Sequence, residues 1–223
     1  RKNRGWEQGF IVVKPNCSIQ SYLTPVYSLI KAGYDVKRLI VTTLQAISGA
    51  GYPGVTSLDI TENVIPYISG EEQKTEEEPL KILGTFSNGS IIPRSDLSIS
   101  AHCNRVPVID GHMACVSLGF SDSKPNSLDE VIDIWNSFKS FPQDLNLPYA
   151  PLQPIFYRTE SDRPQPRKDR DADKGMAISV GRLRKCSVLD LRFVGLSHNT
   201  LRGAAGGGIL NAELLYSKGY IVS

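Results

Sequence analysis

The chain has 223 residues, 40% of them apolar and 22% charged, with a formal net charge of +2. That length allows a domain with a substantial core. The charge makes no electrostatic case for nucleic acid or an anionic membrane, and no apolar run is long enough to span a bilayer.

Arg1-Lys2-Asn3-Arg4 runs directly into Phe10 to Val13, an apolar stretch that reads as a strand stopping at Lys14-Pro15, so the start has the look of a cut end. From Ser18 to Ala32 the apolar residues Ile19, Tyr22, Leu23, Val26, Tyr27, Leu29 and Ile30 repeat with helical period, ended near Gly33. Arg38 to Leu44 is β-branched and strand-like, and Gln45 to Gly54 is a glycine-rich loop. Glu71 to Leu83 reads as a charged helix with a solvated face. Leu97 to Val106 and His112 to Gly119 read as two strands joined through Asp110-Gly111, a turn-forming pair. Ser127 to Phe138 is a helix with Ser127 as its cap and Asp129-Glu130 in its first turn.

Gln153 to Lys174, rich in Pro, Arg and Asp, reads as a long excursion outside the core. Strand character returns at Ala177 to Val180 and Ser187 to Val194. Asn199 to Lys218 is helical, and Tyr220-Ile221-Val222 is a candidate terminal strand. Within the helix, Gly203 to Gly208 lacks phosphate-loop spacing and reads as a helix-packing run of small residues. Strands and helices mix without strict alternation, which predicts an α+β fold, a mixed β-sheet with helices packed on one face.

Four scattered cysteines, Cys17, Cys103, Cys115 and Cys186, suggest neither a zinc site nor a disulfide framework and make a reducing cytoplasm the default. Cys17 stands out. In Lys14-Pro15-Asn16-Cys17-Ser18 a thiol lies between a strand-like and a helix-like segment, beside backbone N–H groups that no helical turn has yet satisfied. Such a place is expected to lower the thiol's pKa and leave it exposed, as a nucleophile requires. Arg105 and His112, seven residues apart, add a carboxylate-binding fork and an imidazole for proton transfer. Cys103 reads as a packing residue near a strand end, Cys115 and Cys186 as buried strand residues, and His102 and His198 as surface or structural ones.

These segments together resemble the aspartate-β-semialdehyde dehydrogenase family. Cys103-x-Arg105-Val106-x-x-x-x-Gly111-His112 resembles its signature, Pro15-Asn16-Cys17-Ser18 its nucleophile turn, and Thr43 to Gly51 its glutamine and cofactor-facing loop. Asn199-Thr200-Leu201-Arg202-Gly203-Ala204-Ala205-Gly206-Gly207 resembles the helix that closes its cofactor domain, and Arg163-Pro164-Gln165-Pro166-Arg167 the archaeal and fungal branch. Met113 departs from the small or hydroxyl residue of the family pattern.

The resemblance implies a C-terminal domain like that of glyceraldehyde-3-phosphate dehydrogenase, with the N-terminal dinucleotide-binding domain mostly absent. Residues 1–198 would be a catalytic and dimerisation domain. Residues 199–223 would be a helix and strand that pack on the missing NADP-binding domain and otherwise expose an apolar stripe. It implies that Cys17 attacks L-4-aspartyl phosphate, expelling phosphate to leave a thioester, that NADPH reduces this to L-aspartate 4-semialdehyde, and that His112 is the general acid/base. Arg105 would hold the substrate carboxylate, Gln45 orient the acyl group, Glu71 (or Glu72) bind the ammonium and Lys74 the phosphate. Ser48, Gly49, Ala50, Gly51 and Asn199 would touch the cofactor. A homodimer or higher homo-oligomer would be the assembly. A non-catalytic dimerisation module and a related acyl-phosphate reductase stay open as alternatives. A cysteine hydrolase lacks a residue to orient His112.

Overall fold

Val36–Gln45 places Leu39, Val41, Thr43 and Gln45 on one side of a strand and Arg38, Ile40, Thr42 and Leu44 on the other, and only the first set is buried throughout. In the computed structural model, which describes Gly5, Glu7 and residues 9–221, this is the central strand β1. The elements run α1 (Leu23–Lys31), β1 (Val36–Gln45), α2 (Ser57–Ile60), α3 (Glu71–Ile82), β2 (Thr85–Ser87), β3 (Ser90–Ile92), β4 (Ser98–Arg105) and β5 (His112–Phe120). They continue with α4 (Leu128–Ser137), α5 (Phe141–Asp144), β6 (Ile155–Arg158), α6 (Pro166–Asp169), β7 (Ile178–Lys185), β8 (Leu191–Ser197) and α7 (Gly206–Ser217). The main sheet has the order β4-β1-β5-β8-β7-β6 and is mixed: β4 and β6 pair parallel with their neighbours, the others antiparallel.

The core lies on one face of this sheet. Ile19, Tyr22, Val26 and Leu29 from the first helical segments and Val131 and Trp135 from α4 pack on Leu39, Val41, Val116, Leu118, Ile178 and Phe193. The Trp135 indole donates to the Pro25 carbonyl at 3.1 Å, tying α4 to α1. Truncating a fully buried aromatic of this kind costs about 3–5 kcal/mol. Ser127 caps α4 as its sequence suggests, its hydroxyl accepting from the Glu130 N–H at 3.1 Å.

Several expectations are corrected. Phe10 to Val13 forms no strand; the segment is irregular and mostly exposed. Arg1 to Arg4 lie outside the described residues, as does Val222, while Tyr220 and Ile221 follow α7 in a bend instead of a strand. The strands read on either side of Asp110-Gly111 are present but do not form a hairpin, because β1 is inserted between β4 and β5. Gln45 belongs to β1 itself. The excursion Gln153 to Lys174 contributes edge strand β6, with Ile155 fully buried. Cys115 is exposed, and Cys186 follows β7 in a partly exposed turn, so neither is a buried strand residue.

α3 is more than a solvated helix. Glu72 and Glu76 accept from the N–H groups of Cys103 and Ala101, closing the open edge of β4. Pro79 has no N–H for the Thr75 carbonyl four residues back, and the buried Tyr22 hydroxyl donates to that carbonyl at 3.1 Å instead.

Candidate active site

The insertion of β1 between β4 and β5 builds the site. Arg105 is the register partner of Gln45, His112 that of Ser197, and Leu44–Met113 is the last β1–β5 pair, so Gln45 and His112 come next to one another. Arg105, Gln45, His112 and Ser197 therefore form one row across four strands at one end of the sheet, all buried on its core face. The crossing segment is held over the end of β1 by the bonds Val106 N–H to Gln45 O, Ile47 N–H to Val108 O and Ser48 N–H to Ile109 O.

Cys17 meets this row from above. It precedes a 3-10 turn, Ser18–Ser21, and is only partly exposed. Asn16, whose role no spacing rule had suggested, fixes the turn in two directions. Its side-chain oxygen accepts from the Ser18 N–H (2.7 Å) and hydroxyl (2.8 Å), and its amide donates to both Glu71 oxygens at 2.9 and 3.0 Å. Glu71 also accepts from Gln45 (3.1 Å) and pairs with Lys74 (3.2 Å), so one carboxylate joins the cysteine turn, β1 and α3. Glu72 faces β4 and stands outside this network. From the other side the π-turn Leu201–Ala205 brings Gly203 against the thiol residue. A Cβ on Gly203 would lie 2.8 Å from that of Cys17, so only glycine fits.

Electrostatics reverse one expectation. Burial pushes the Cys17 thiol up, and Glu71 adds to this, outweighing the lowering by Lys14, the backbone N–H and Arg105. Burial also lowers Arg105, with Glu71 and Cys17 acting in the opposite sense. Arg105 donates from Nη1 to the Ala46 carbonyl at 2.6 Å and forms no ion pair among the described residues.

His112 is fixed by the backbone. Its Nδ1 accepts from the Ala46 N–H at 3.0 Å, so in the neutral ring the proton sits on Nε2. That Nε2 is buried and has no hydrogen-bond partner among the described residues. Burial first, then Arg105 and His198, bring the imidazole down to about 3, so it is neutral at ordinary pH. The exposed Gly49 covers both groups: a Cβ there would lie 2.8 Å from Arg105 Nη1 and 2.9 Å from His112 Nε2.

The other predicted residues fall around this centre. Ser48 and Asn199 are bonded to each other at 2.8 Å, and the Asn199 oxygen accepts from the Gly111 N–H at 2.8 Å, so Asn199 is buried and acts as a brace. Gly49, Ala50 and Gly51 are exposed, and Lys74 is half exposed. His102 is exposed on the outer face, whereas His198 is buried and bonded to Thr200.

The profile of the semialdehyde dehydrogenase dimerisation domain matches residues 26–202. The aspartate-semialdehyde dehydrogenase of Archaeoglobus fulgidus is 51% identical over 96% of this chain and 60% of its own length. That of Schizosaccharomyces pombe is 46% identical over 98% of this chain and 62% of its own. The crystal structure of the Candida albicans aspartate-semialdehyde dehydrogenase with NADP is similar with a TM-score of 0.89 at 45% identity, covering 96% of this chain and 60% of that one. The chain thus spans about 60% of the length of the curated relatives it matches.

Proposed function

The chain belongs to the semialdehyde dehydrogenase family, and on that premise we propose that it carries the catalytic centre of an NADP-dependent aspartate-semialdehyde dehydrogenase, with Cys17 as nucleophile. The observation that carries this reading is the convergence of the Cys17 turn, Glu71, Gln45, Arg105 and His112 on one end of the sheet.

Sulfur is suited to the reaction because a thiolate displaces phosphate from an acyl phosphate and later leaves again. Arg105, buried and in no ion pair among the described residues, supports binding of the α-carboxylate of L-4-aspartyl phosphate, and Glu71 supports binding of its ammonium. Lys74 is the candidate for the phosphate. Gln45, bonded to Glu71, would hold the acyl group in line with the sulfur. The unpartnered His112 Nε2–H favours a hydrogen bond to the carbonyl oxygen as charge develops there over proton exchange with the thiol.

The run Gly49 to Gly51 is exposed beside His112 and Arg105, and Ser48 next to it is bonded to Asn199. Ser48, Gly49, Ala50 and Gly51 would hold the nicotinamide end of NADP, which when bound supplies the hydride. We infer further a cytoplasmic homo-oligomer formed through the outer sheet face, where Ile40 is 43% exposed. Residues 199–223 would complete the contact with a cofactor domain.

Acylation needs no cofactor and can be read on this chain. Mixing it with L-4-aspartyl phosphate is expected to release one equivalent of phosphate and leave an acyl adduct that peptide mapping assigns to Cys17. Cys17→Ser is expected to abolish both. An adduct elsewhere, or none on the folded chain, overturns the reading.

A further inference from the structure

The thiol of Cys17 faces a difficulty within its own site. Burial and Glu71 oppose its ionisation. His112 is not placed to take its proton, because Nδ1 is occupied by the Ala46 N–H and Nε2 already carries hydrogen in that tautomer. Arg105 spends Nη1 on the Ala46 carbonyl. Another group has to favour the sulfur anion.

We propose that Lys14 is the counter-ion of Cys17: its ammonium, held on the same glycine-floored helix face as the thiol, stabilises the thiolate and so sets the nucleophile's reactivity. The placement rests on three contacts. Gly203 and Gly207 stand four residues apart, on one face of the C-terminal helical segment. The Cys17 Cβ lies 2.8 Å from where a Gly203 Cβ would stand, and the Lys14 Cε lies 2.5 Å from where a Gly207 Cβ would stand. The run Lys14 to Cys17 is therefore laid along that face, with the lysine stem one helical turn from the thiol. The Lys14 ammonium donates to its neighbour's carbonyl, Pro15 O, at 3.0 Å, and it enters none of the ion pairs among the described residues.

The surrounding charges agree. Lys14 faces Cys17, Arg202 and Glu78, and the Glu78 Oε2 already accepts from the Asn16 N–H at 2.8 Å. Cys17 faces Glu71 on the unfavourable side and Lys14 and Arg105 on the favourable one, with Lys14 the larger of those two cations' effects. Burial lowers Lys14 and Cys17 raises it, the largest influence in its favour, with the net result at about 8. Each charge thus stabilises the other where water cannot. Lys14 is a positioning residue in this scheme: it acts through the sulfur and touches no substrate atom.

The inference rests on Cys17 being the nucleophile, but its readout is the thiol's ionisation and not turnover, so it can fail while the acylation experiment succeeds. The rate of iodoacetamide alkylation of Cys17 would be followed from pH 6 to 10 on the 223-residue chain, with peptide mass mapping to separate Cys17 from Cys115 and Cys186. Lys14→Met keeps the stem and removes the charge; Lys14→Arg keeps the charge. The expected result is a midpoint about one pH unit higher in Lys14→Met, hence about tenfold slower alkylation near neutrality, with Lys14→Arg close to the parent. An unchanged midpoint in Lys14→Met overturns the proposal. So does a Lys14→Arg variant that behaves like Lys14→Met, since stem shape and not charge would then be the cause.

Discussion

Asp169, at the end of α6, and Arg105, at the end of β4, are both buried charges, and the protein treats them differently. The Asp169 carboxylate accepts from Arg163 Nε at 2.7 Å and again from the same guanidinium's Nη2, from the Gln165 N–H at 2.7 Å, and pairs with Arg158 at 3.1 Å. Burial would raise its pKa, but these partners outweigh that and hold it below the usual range. Among the described residues Arg105 donates to a carbonyl and pairs with no carboxylate, and beside it the His112 Nε2 has no hydrogen-bond partner. A cluster whose carboxylate is paired on every side fixes the fold. An unsaturated one at the end of the sheet leaves donors for something that binds.

The most severe way to break this contrast is Asp169→Ala. It would leave Arg158 and Arg163 without their shared anion, and the expected loss is about 3–5 kcal/mol of unfolding free energy. Urea denaturation checks it. The fraction that remains folded should still acylate Cys17, because no bond of the Asp169 cluster reaches the cysteine turn. A loss of acylation in folded protein would mean that the two regions are one unit.

Acid separates the two regions in a second way. The His112 imidazole is lowered from 6.5 to about 3, so the unfolded chain takes up a proton that the folded chain refuses. That contribution to stability is present above about pH 6.5 and is lost as pH falls toward 3, with a slope of about 1.4 kcal/mol per pH unit. Asp169, also lowered, adds its loss only below about pH 4. His112→Gln, which keeps an N–H donor and does not titrate, is expected to flatten the stability curve between pH 6 and 4 and leave the drop below 4 in place. Urea midpoints at half-unit pH intervals measure this. His198, lowered by burial as well, accounts for the slope that remains.

How far these regions were legible in the sequence follows from the range of the interactions. Ser127 capping α4 and the alternation in β1 are local, and both are in place. The placing of Arg105, Gln45 and His112 in one row is not local. Asp110-Gly111 suggests a hairpin, yet β1, drawn from some sixty residues earlier in the chain, takes the position between the two strands. The Asp169 cluster sits in a stretch too polar to read as core, because its stability comes from paired charges and not from apolar period. The shift of the Cys17 thiol is likewise set by remote contacts. The start of a helical turn favours a thiolate, but Gly203 and Glu71, remote in sequence, bury Cys17 in part and oppose its charge.

The gentlest comparison is the most discriminating one. Arg105→Leu removes a buried cation that no carboxylate among the described residues pairs with, so desolvation relieved offsets the bond to Ala46 lost, and stability should change by no more than about 1 kcal/mol. Acylation by L-4-aspartyl phosphate should nonetheless fall steeply, because the fork that would hold the α-carboxylate is gone and orientation, not chemistry, is what that fork supplies. Simple acyl phosphates without an α-carboxylate, such as acetyl phosphate, should lose far less in Arg105→Leu, only the small part by which Arg105 favours the Cys17 anion. Equal loss toward both acyl phosphates would place Arg105 in the support of the thiol instead, and a loss of stability as large as that of Asp169→Ala would show that its charge is structural after all.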